Sequence, residues 1–241
     1  MKASIVIPSY NKCETLTRVI ASIRNQRVPF PFEIIVVDDS STDGTPELPW
    51  QAWGVQYIRL EDRATDLGPA VPYNVGLKAA RGEVIINQKD DVVHHGPDTI
   101  DKLVRLLKPS RWLLGTVWNL NGEKRDADAY CSPDRPRTRP FLASIWRRDI
   151  YRIGGYDEDF TELTFDDDYF GACLTSHGIE PEYTWEVVGD HIHHARLPNL
   201  YTEICPRMEA IYKRKTSQPR PWKAKGGAWE WGDGTPLTEQ Q

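Results

Sequence analysis

The stretch GEVIINQKDDVVHH, residues 82–95, decides how the chain is read. Val84, Ile85 and Ile86 form a short apolar run after a glycine, which is the pattern of a buried strand. The run stops at Asn87, Gln88 and Lys89, and Asp90 and Asp91 follow where the strand would leave its sheet. In open α/β sheets, ligands bind at the C-terminal ends of the strands. Adjacent aspartates repel each other, so a buried pair stays ionised only beside a cation or hydrogen-bond donors. A divalent ion bridging a diphosphate would supply that cation. The plain alternative is a solvated turn with an N-cap before a helix starting at Pro97.

The segments upstream favour the first view. Residues 72–82 read as a helix closed by Gly82 as its C-cap. Ile5, Val6 and Ile7 form a strand closed by Pro8, with Ser9, Tyr10 and Asn11 in the loop after it. Leu16, Val19, Ile20 and Ile23 are spaced i, i+3, i+4 and i+7, which predicts a helix from about Glu14 to Gln26. A second strand, Glu33 to Val37, ends in Asp38 and Asp39. Strand, helix and strand in this order make a βαβ unit with parallel strands, so both trailing loops reach one edge. There an aspartate can accept a hydrogen bond from a ring N–H of a pyrimidine, and a tyrosine can stack on the base. Asp39 is read as a ligand, and Thr42 and Asp43 as capping groups. A third strand spans Val55 to Leu60, and residues 61–69 form a polar loop. After Pro97, Ile100, Leu103, Val104 and Leu107 share one helical face. Strand and helix alternate through residue 109, the α/β pattern.

Composition narrows the class. The chain has 241 residues and a net charge of −5, which argues against a protein devoted to nucleic acid. No apolar run reaches the roughly 20 residues of a membrane span. The opening MKASIVIPSY runs straight into a strand pattern, read as the absence of a secretory signal. Cys13, Cys131, Cys173 and Cys205 are scattered, with Cys173 on an apolar helical face, so they are read as reduced. The expected location is cytoplasmic, free or peripheral to a membrane.

Several segments together resemble the family-2 glycosyltransferases with the nucleotide-sugar-binding GT-A fold. They are SIVIPSYNKCETLTRVIASI, EIIVVDDSSTDGT, the segment from Asn74 to Glu83, KDD after the strand, and later GGYDEDF and FDDDYF. The resemblance covers roughly residues 3–195 and rests on the order and spacing of these pieces. It implies an α/β chain: one GT-A-type domain, a mostly parallel Rossmann-like sheet flanked by helices, over residues 1–197. A nucleotide-binding half (1–109) and an acceptor half (110–197) would be followed by a helical and irregular extension (198–241). It also implies transfer of a sugar from a nucleotide sugar, a UDP-sugar by resemblance, to a hydroxyl of a glycan, lipid-linked or other acceptor, with inversion.

Residue by residue, the resemblance assigns the nucleotide to Pro8, Ser9, Tyr10, Asp39, Asn74, Gln88 and Asp90. The family's Asp-x-Asp motif holds manganese or magnesium on the diphosphate. Here Lys89 replaces its first aspartate, Asp90 takes the middle place and Asp91 the final, metal-binding one. A lysine can itself neutralise phosphate. The arginine usually preceding the helix asparagine is Tyr73 here, and Arg63 or Arg81 could take its place.

In the second half, Trp112 to Asn119 reads as a strand and residues 120–140 as a loop. Phe141 to Trp146 reads as a strand, Arg147 to Ile153 as a short helix, and GGYDEDF (154–160) as the acceptor-side turn of the family. Asp166, Asp167 and Asp168 open a helix, where capping and the helix dipole favour them in any case. Inverting transfer needs a carboxylate beside the acceptor oxygen. By resemblance Asp167 is the base, with Asp166 in a supporting role. After a strand from Tyr183 to Val188 come His191, His193 and His194. Such a cluster suits a metal. Some relatives use a histidine here as a metal ligand, which fits His194 and His191. His94 and His95 are read as structural or acceptor-facing. The stripe Leu200, Ile204, Met208, Ile211 is interrupted by Pro206, so a kink or two short helices follow. Lys213, Arg214, Lys215, Arg220, Lys223 and Lys225 could touch a polyanion or a membrane surface, or wrap the domain. Trp229 and Trp231 would pack the extension. The competing functions are a non-catalytic nucleotide or sugar binder, a transferase that glycosylates nucleic acid, and, more remotely, a nucleotidyltransferase.

Overall fold

A computed structural model describes residues 1–61, 68–194, 197–226 and 231. Arg63, Trp229 and most of the polar loop 61–69 lie outside the described residues. The first half contains β1 (Ala3–Ser9), α1 (Cys13–Arg24), β2 (Phe32–Asp38), β3 (Val55–Arg59), α2 (Ala70–Ala79) and β4 (Val84–Gln88). The three apolar runs read from sequence are strands buried on both faces. Val6, Ile35, Val37 and Ile85 join one core with Tyr73 and Leu77 of α2. Ile5, Ile7, Ile34, Val36 and Ile86 join the other with Leu16, Val19, Ile20 and Ile23 of α1. Each such side chain contributes roughly 1.5–3 kcal/mol by leaving water. Two-sided burial is what continuous rather than alternating apolar runs encode.

The second half adds β5 (Val92–His94), α3 (Thr99–Arg105), β6 (Arg111–Asn121), β7 (Lys124–Arg125), β8 (Leu142–Trp146), α4 (Arg147–Ile153), α5 (Asp166–Ser176), β9 (Glu180–Ile192) and α6 (Cys205–Thr216). One π-helical turn, Leu200–Ile204, precedes α6, with Pro206 in the first turn of the α-helix. The strand order is β3-β2-β1-β4-β8-β6-β9-β5, with β7 paired to β6. The sheet is parallel from β3 to β4 and mixed beyond. Because β8 runs against β4 and β6 against β8, β6 and β9 run the same way as β1 and β4. All of them end at one edge, where the candidate site residues collect.

Several local expectations change. A short strand not read from the sequence follows Asp91: β5 returns to pair with β9, Val92 opposite His191, and the helix expected from Pro97 starts at Thr99. Gly82 is not a C-cap, since α2 ends at Ala79. A Cβ on Gly82 would lie 2.5 Å from the Ala3 carbonyl carbon, so this glycine permits close approach of two backbones. The strand expected at 183–188 runs through Ile192, so His191 sits on a strand. The loop after β6 carries β7 and the isolated bridge between Val117 and Cys131. The four cysteines are unbonded, and burial pushes the Cys173 thiol up to about 12. No helix among the described residues is long and apolar enough to cross a membrane.

Candidate active site

The β5–β9 pairing brings the KDD turn against the histidine run. The Asp91 carbonyl accepts a hydrogen bond from Ile192 N at 2.7 Å. The Asp91 carboxylate then faces His194 Nε2 at 3.2 Å, His191 Nε2 at 3.5 Å and Lys12 Nζ at 3.7 Å. Burial opposes its charge, but hydrogen bonds from the two histidines and the charge of Lys12 hold its carboxyl well below the usual carboxylate range. One ligand atom from each of Asp91, His191 and His194 lies within 4.8 Å of the others. His191 Nδ1 lies 3.1 Å from Asn119 Oδ1, an oxygen that only accepts. Nδ1 therefore donates to Asn119, which leaves Nε2, the nitrogen facing Asp91, as the one that would bind a divalent ion. A carboxylate and two imidazoles make a donor set that fits a manganese-type divalent ion. His193 lies outside this cluster among the described residues.

The nucleotide set divides. Pro8 and Ser9 end β1, opposite Val37 and Asp38 of β2, and Asp39 N donates to Ser9 O at 2.8 Å. The first two loops therefore form one wall, with Tyr10 43% exposed and its ring open to a base. Asp90 is half-buried. Burial and the adjacent Asp91 charge push its carboxyl up to about 6, against Lys12 and Ser9. Asp38 is structural, tied to Tyr57 Oη, Arg59 and Ser41 N. Asp43 accepts from Cys13 N and caps α1.

Asn74 and Gln88 are not on the crevice surface, which corrects their assignment to the nucleotide. Both are fully buried. Asn74 Nδ2 donates to Tyr156 O and Glu158 Oε1, and its Oδ1 accepts from Tyr156 N, so it anchors the GGY turn. Gly154 and Gly155 have φ of 86° and 73°, values natural only to glycine. Gln88 donates to Val92 O and lies 2.9 Å from His94 Nε2. His94 is a half-buried β5 residue, and desolvation pushes its imidazole down to about 3. Arg81 is spent on Glu33, through Nε at 3.0 Å and Nη2 at 2.8 Å, so it does not replace the missing phosphate arginine.

The opposite wall is α5. Thr164 (φ 86°) and Phe165 (φ 60°) are left-handed non-glycine residues directly before Asp166. Such strain costs roughly 1–3 kcal/mol per residue and gathers at functional sites. The three aspartates then separate. Asp167 Oδ2 lies 3.3 Å from Lys89 Nζ. Asp168 lies 3.7 Å from Arg139 Nη2 of the loop before β8. Asp166 is 4% exposed, and its Oδ2 lacks a hydrogen-bond partner among the described residues. Burial first, then the Asp167 charge, pushes the Asp166 carboxyl up to about 7. Beneath them Tyr73, Tyr156 and Phe170 stack at 4.3 and 4.2 Å between ring centroids. Tyr130 stacks on Phe141 at 4.9 Å and lies near the His191 ring.

Sequence reading missed Lys12, Asn119, Tyr130 and Arg139. Lys12 was findable, since it follows the SYN loop at a strand end. The other three depend on which register β6 takes and how the following loop folds back. The GGYDEDF turn is also not free for an acceptor. Lys215 binds Asp157 at 2.9 Å and Asp159 at 2.7 Å, and Lys225 binds Asp159 at 3.0 Å. Two of the tail's cations thus fasten the extension to the domain, and Trp231 packs edge-on to Tyr151 at 5.1 Å.

The sequence profile of Glycosyl transferase family 2 matches residues 4–170. The chain belongs to this family. It is 32% identical over 108 residues to a dolichol-phosphate mannosyltransferase of Pyrococcus furiosus, covering 45% of this chain and 30% of that protein. It is 35% identical over 97 residues to the poly(ribitol-phosphate) β-N-acetylglucosaminyltransferase TarS of Staphylococcus aureus, covering 39% of this chain and 17% of that protein. The aligned segments thus span less than a third of these curated relatives. The mannosyltransferase PcManGT of Pyrobaculum calidifontis, solved with GDP-Man and Mn2+, superposes with a TM-score of 0.68 at 20% identity, over 92% of this chain and 67% of that one. TarS 1–349 with UDP superposes with a TM-score of 0.63 at 21% identity, over 88% and 65%. At these identities the likeness carries the fold, which is the GT-A type that the sequence resembles.

Proposed function

We propose that this family-2 chain is an inverting glycosyltransferase that moves a sugar from a UDP-sugar to an acceptor hydroxyl. The observation that carries this reading is that Lys89, in the same turn as Asp91 of the Asp91–His191–His194 set, touches Asp167 at the start of α5, so the two acidic groups lie at one sheet edge. Tyr10 stacks on the base, and Ser9 and Asp39 line the same wall. A manganese or magnesium ion held by Asp91, His191 and His194 would supply charge neutralisation at the leaving diphosphate. Asp167 takes the proton of the acceptor oxygen as that oxygen attacks the anomeric carbon. The bond to the diphosphate breaks on the opposite face, and its electron pair leaves with the phosphate oxygen. Relatives that bind UDP or GDP-Man support a nucleotide-sugar donor. The acceptor is a hydroxyl compound, and a cytoplasmic location is the proposed setting.

The test is a panel of nucleotide sugars incubated with the protein and manganese, with release of nucleoside diphosphate as the readout. Release from one UDP-sugar, abolished by chelator and by Asp91→Ala, supports the reading. No release from any donor, with no binding of UDP, contradicts it in favour of another role for the fold.

A further inference from the structure

Lys89 stands where the motif's first acid is expected, next to the turn that would face a diphosphate. Its ammonium points elsewhere. Nζ lies 3.3 Å from Asp167 Oδ2, and 5.2 and 5.4 Å from the Tyr73 and Phe141 ring centroids, with the side chain only 17% exposed. Aromatic faces favour a cation placed over them. Three consecutive residues therefore serve different walls. Asp91 meets the histidines, Asp90 lies beside Ser9 and Lys12, and Lys89 meets α5.

We propose that Lys89 is the positioning residue for Asp167 and not a ligand of the donor phosphates. This rests on the reading of Asp167 as the acceptor base. Asp167 is 7% exposed, and its Oδ1 has no hydrogen-bond partner among the described residues, so the Lys89 contact fixes the orientation of the carboxylate. The other groups facing Asp167 are Asp166 and Asp168 on its own helix, Tyr73 from α2, Tyr156 from the GGY turn and Arg139 from the loop before β8. Two carboxylates flank it, Asp168 pairs with Arg139 at 3.7 Å, and Lys89 is the cation in contact with Asp167 itself. Replacing an acid of the motif with lysine thus moves a charge from the donor side to the acceptor side. Donor binding is left to Lys12, Asp91 and the histidines.

The experiment compares wild type with Lys89→Met, Lys89→Arg, Asp167→Asn and the double variant Lys89→Met/Asp167→Asn. Calorimetric titration with UDP and manganese should give an affinity for Lys89→Met within about twofold of wild type. Its melting temperature should fall, because a buried carboxylate loses its counter-ion, and should recover when Asp167→Asn removes that charge. In transfer assays kcat should fall about tenfold or more in Lys89→Met with the KM for the donor unchanged, because the acceptor-side carboxylate loses its orientation in the transition state only. Lys89→Arg should restore it. A tenfold loss of UDP affinity in Lys89→Met would make Lys89 a phosphate ligand and overturn the proposal. So would a double variant that melts no higher than Lys89→Met, or an unchanged kcat in Lys89→Met. Asp167→Asn alone tests the base reading separately. If it transfers at the wild-type rate, that reading falls while the melting result still reports the pairing.

Discussion

Asp91 Oδ2 lies 3.2 Å from His194 Nε2 because β5 and β9 pair, and that pairing sets the geometry of the Asp91–histidine cluster. Neither residue could be placed by its neighbours in sequence. The Asp91 carbonyl is hydrogen-bonded to Ile192 N, between the two histidines, which ties the aspartate's backbone to theirs.

Asn119 holds the outer nitrogen of His191 at 3.1 Å and fixes the ring that faces Asp91. Asn119→Ala should weaken manganese binding about tenfold, the common cost of losing such a support. Asn119→Asp, which keeps an acceptor, should lose less. Calorimetric titration with manganese checks both, and equal affinities in all three proteins would remove the supporting role.

Asp166 gives a pH dependence with a defined sign. Its folded-state pKa of about 7 lies above the unfolded value of about 3.9. Between these values the folded state binds more protons, so this residue makes stability fall as pH rises from about 4 to about 7. Asp166→Asn cannot ionise. Its stability relative to wild type should therefore rise across that window, by an amount on the order of a few kcal/mol. Denaturant titrations at pH 4.5 and 7.5 measure the difference, and a pH-independent difference would contradict the assignment.

Asn74 is predicted to matter for stability rather than for the nucleotide. Asn74→Ala strips three hydrogen bonds from the GGY turn and should cost about 3 kcal/mol. UDP affinity in the folded fraction should stay at the wild-type value. Urea melts and a UDP titration separate the two effects.

Much of this was legible in the chain itself. The runs at Ile5, Ile35 and Ile85 fixed the parallel half, because only strands buried on both faces need continuous apolar sequence. The spacing around Leu16 fixed α1 to within two residues at each end. Asp91, His191 and His194 were named from sequence, and the fold brings them together. What failed was anything set by long-range register. Val92 and Val93 were too few to signal a strand before β9 supplied its partner. Asn74 and Gln88 are polar residues beside the crevice, and sequence cannot tell an amide facing a ligand from one folded back onto backbone. Gly82 carried two meanings, cap and close approach, and only the Ala3 backbone decides between them.

The basic tail is predicted to be structural. Lys215 is 15% exposed and bridges Asp157, which is 1% exposed, to Asp159. Lys215→Met should lower stability by about 2 kcal/mol by leaving those carboxylates short of a cation. Binding to vesicles of anionic phospholipid should be the same for wild type and variant. A loss of vesicle binding without a loss of stability would return the tail to a membrane role.

The most direct test of the donor site is calorimetric titration of UDP into the protein, with and without manganese, for wild type, Asp91→Asn and His194→Ala. Manganese should tighten UDP binding at least tenfold in wild type and by less than about twofold in either variant, since both remove a ligand from the same set. An equal manganese effect in all three proteins, or none in wild type, would contradict the placing of the metal at Asp91, His191 and His194.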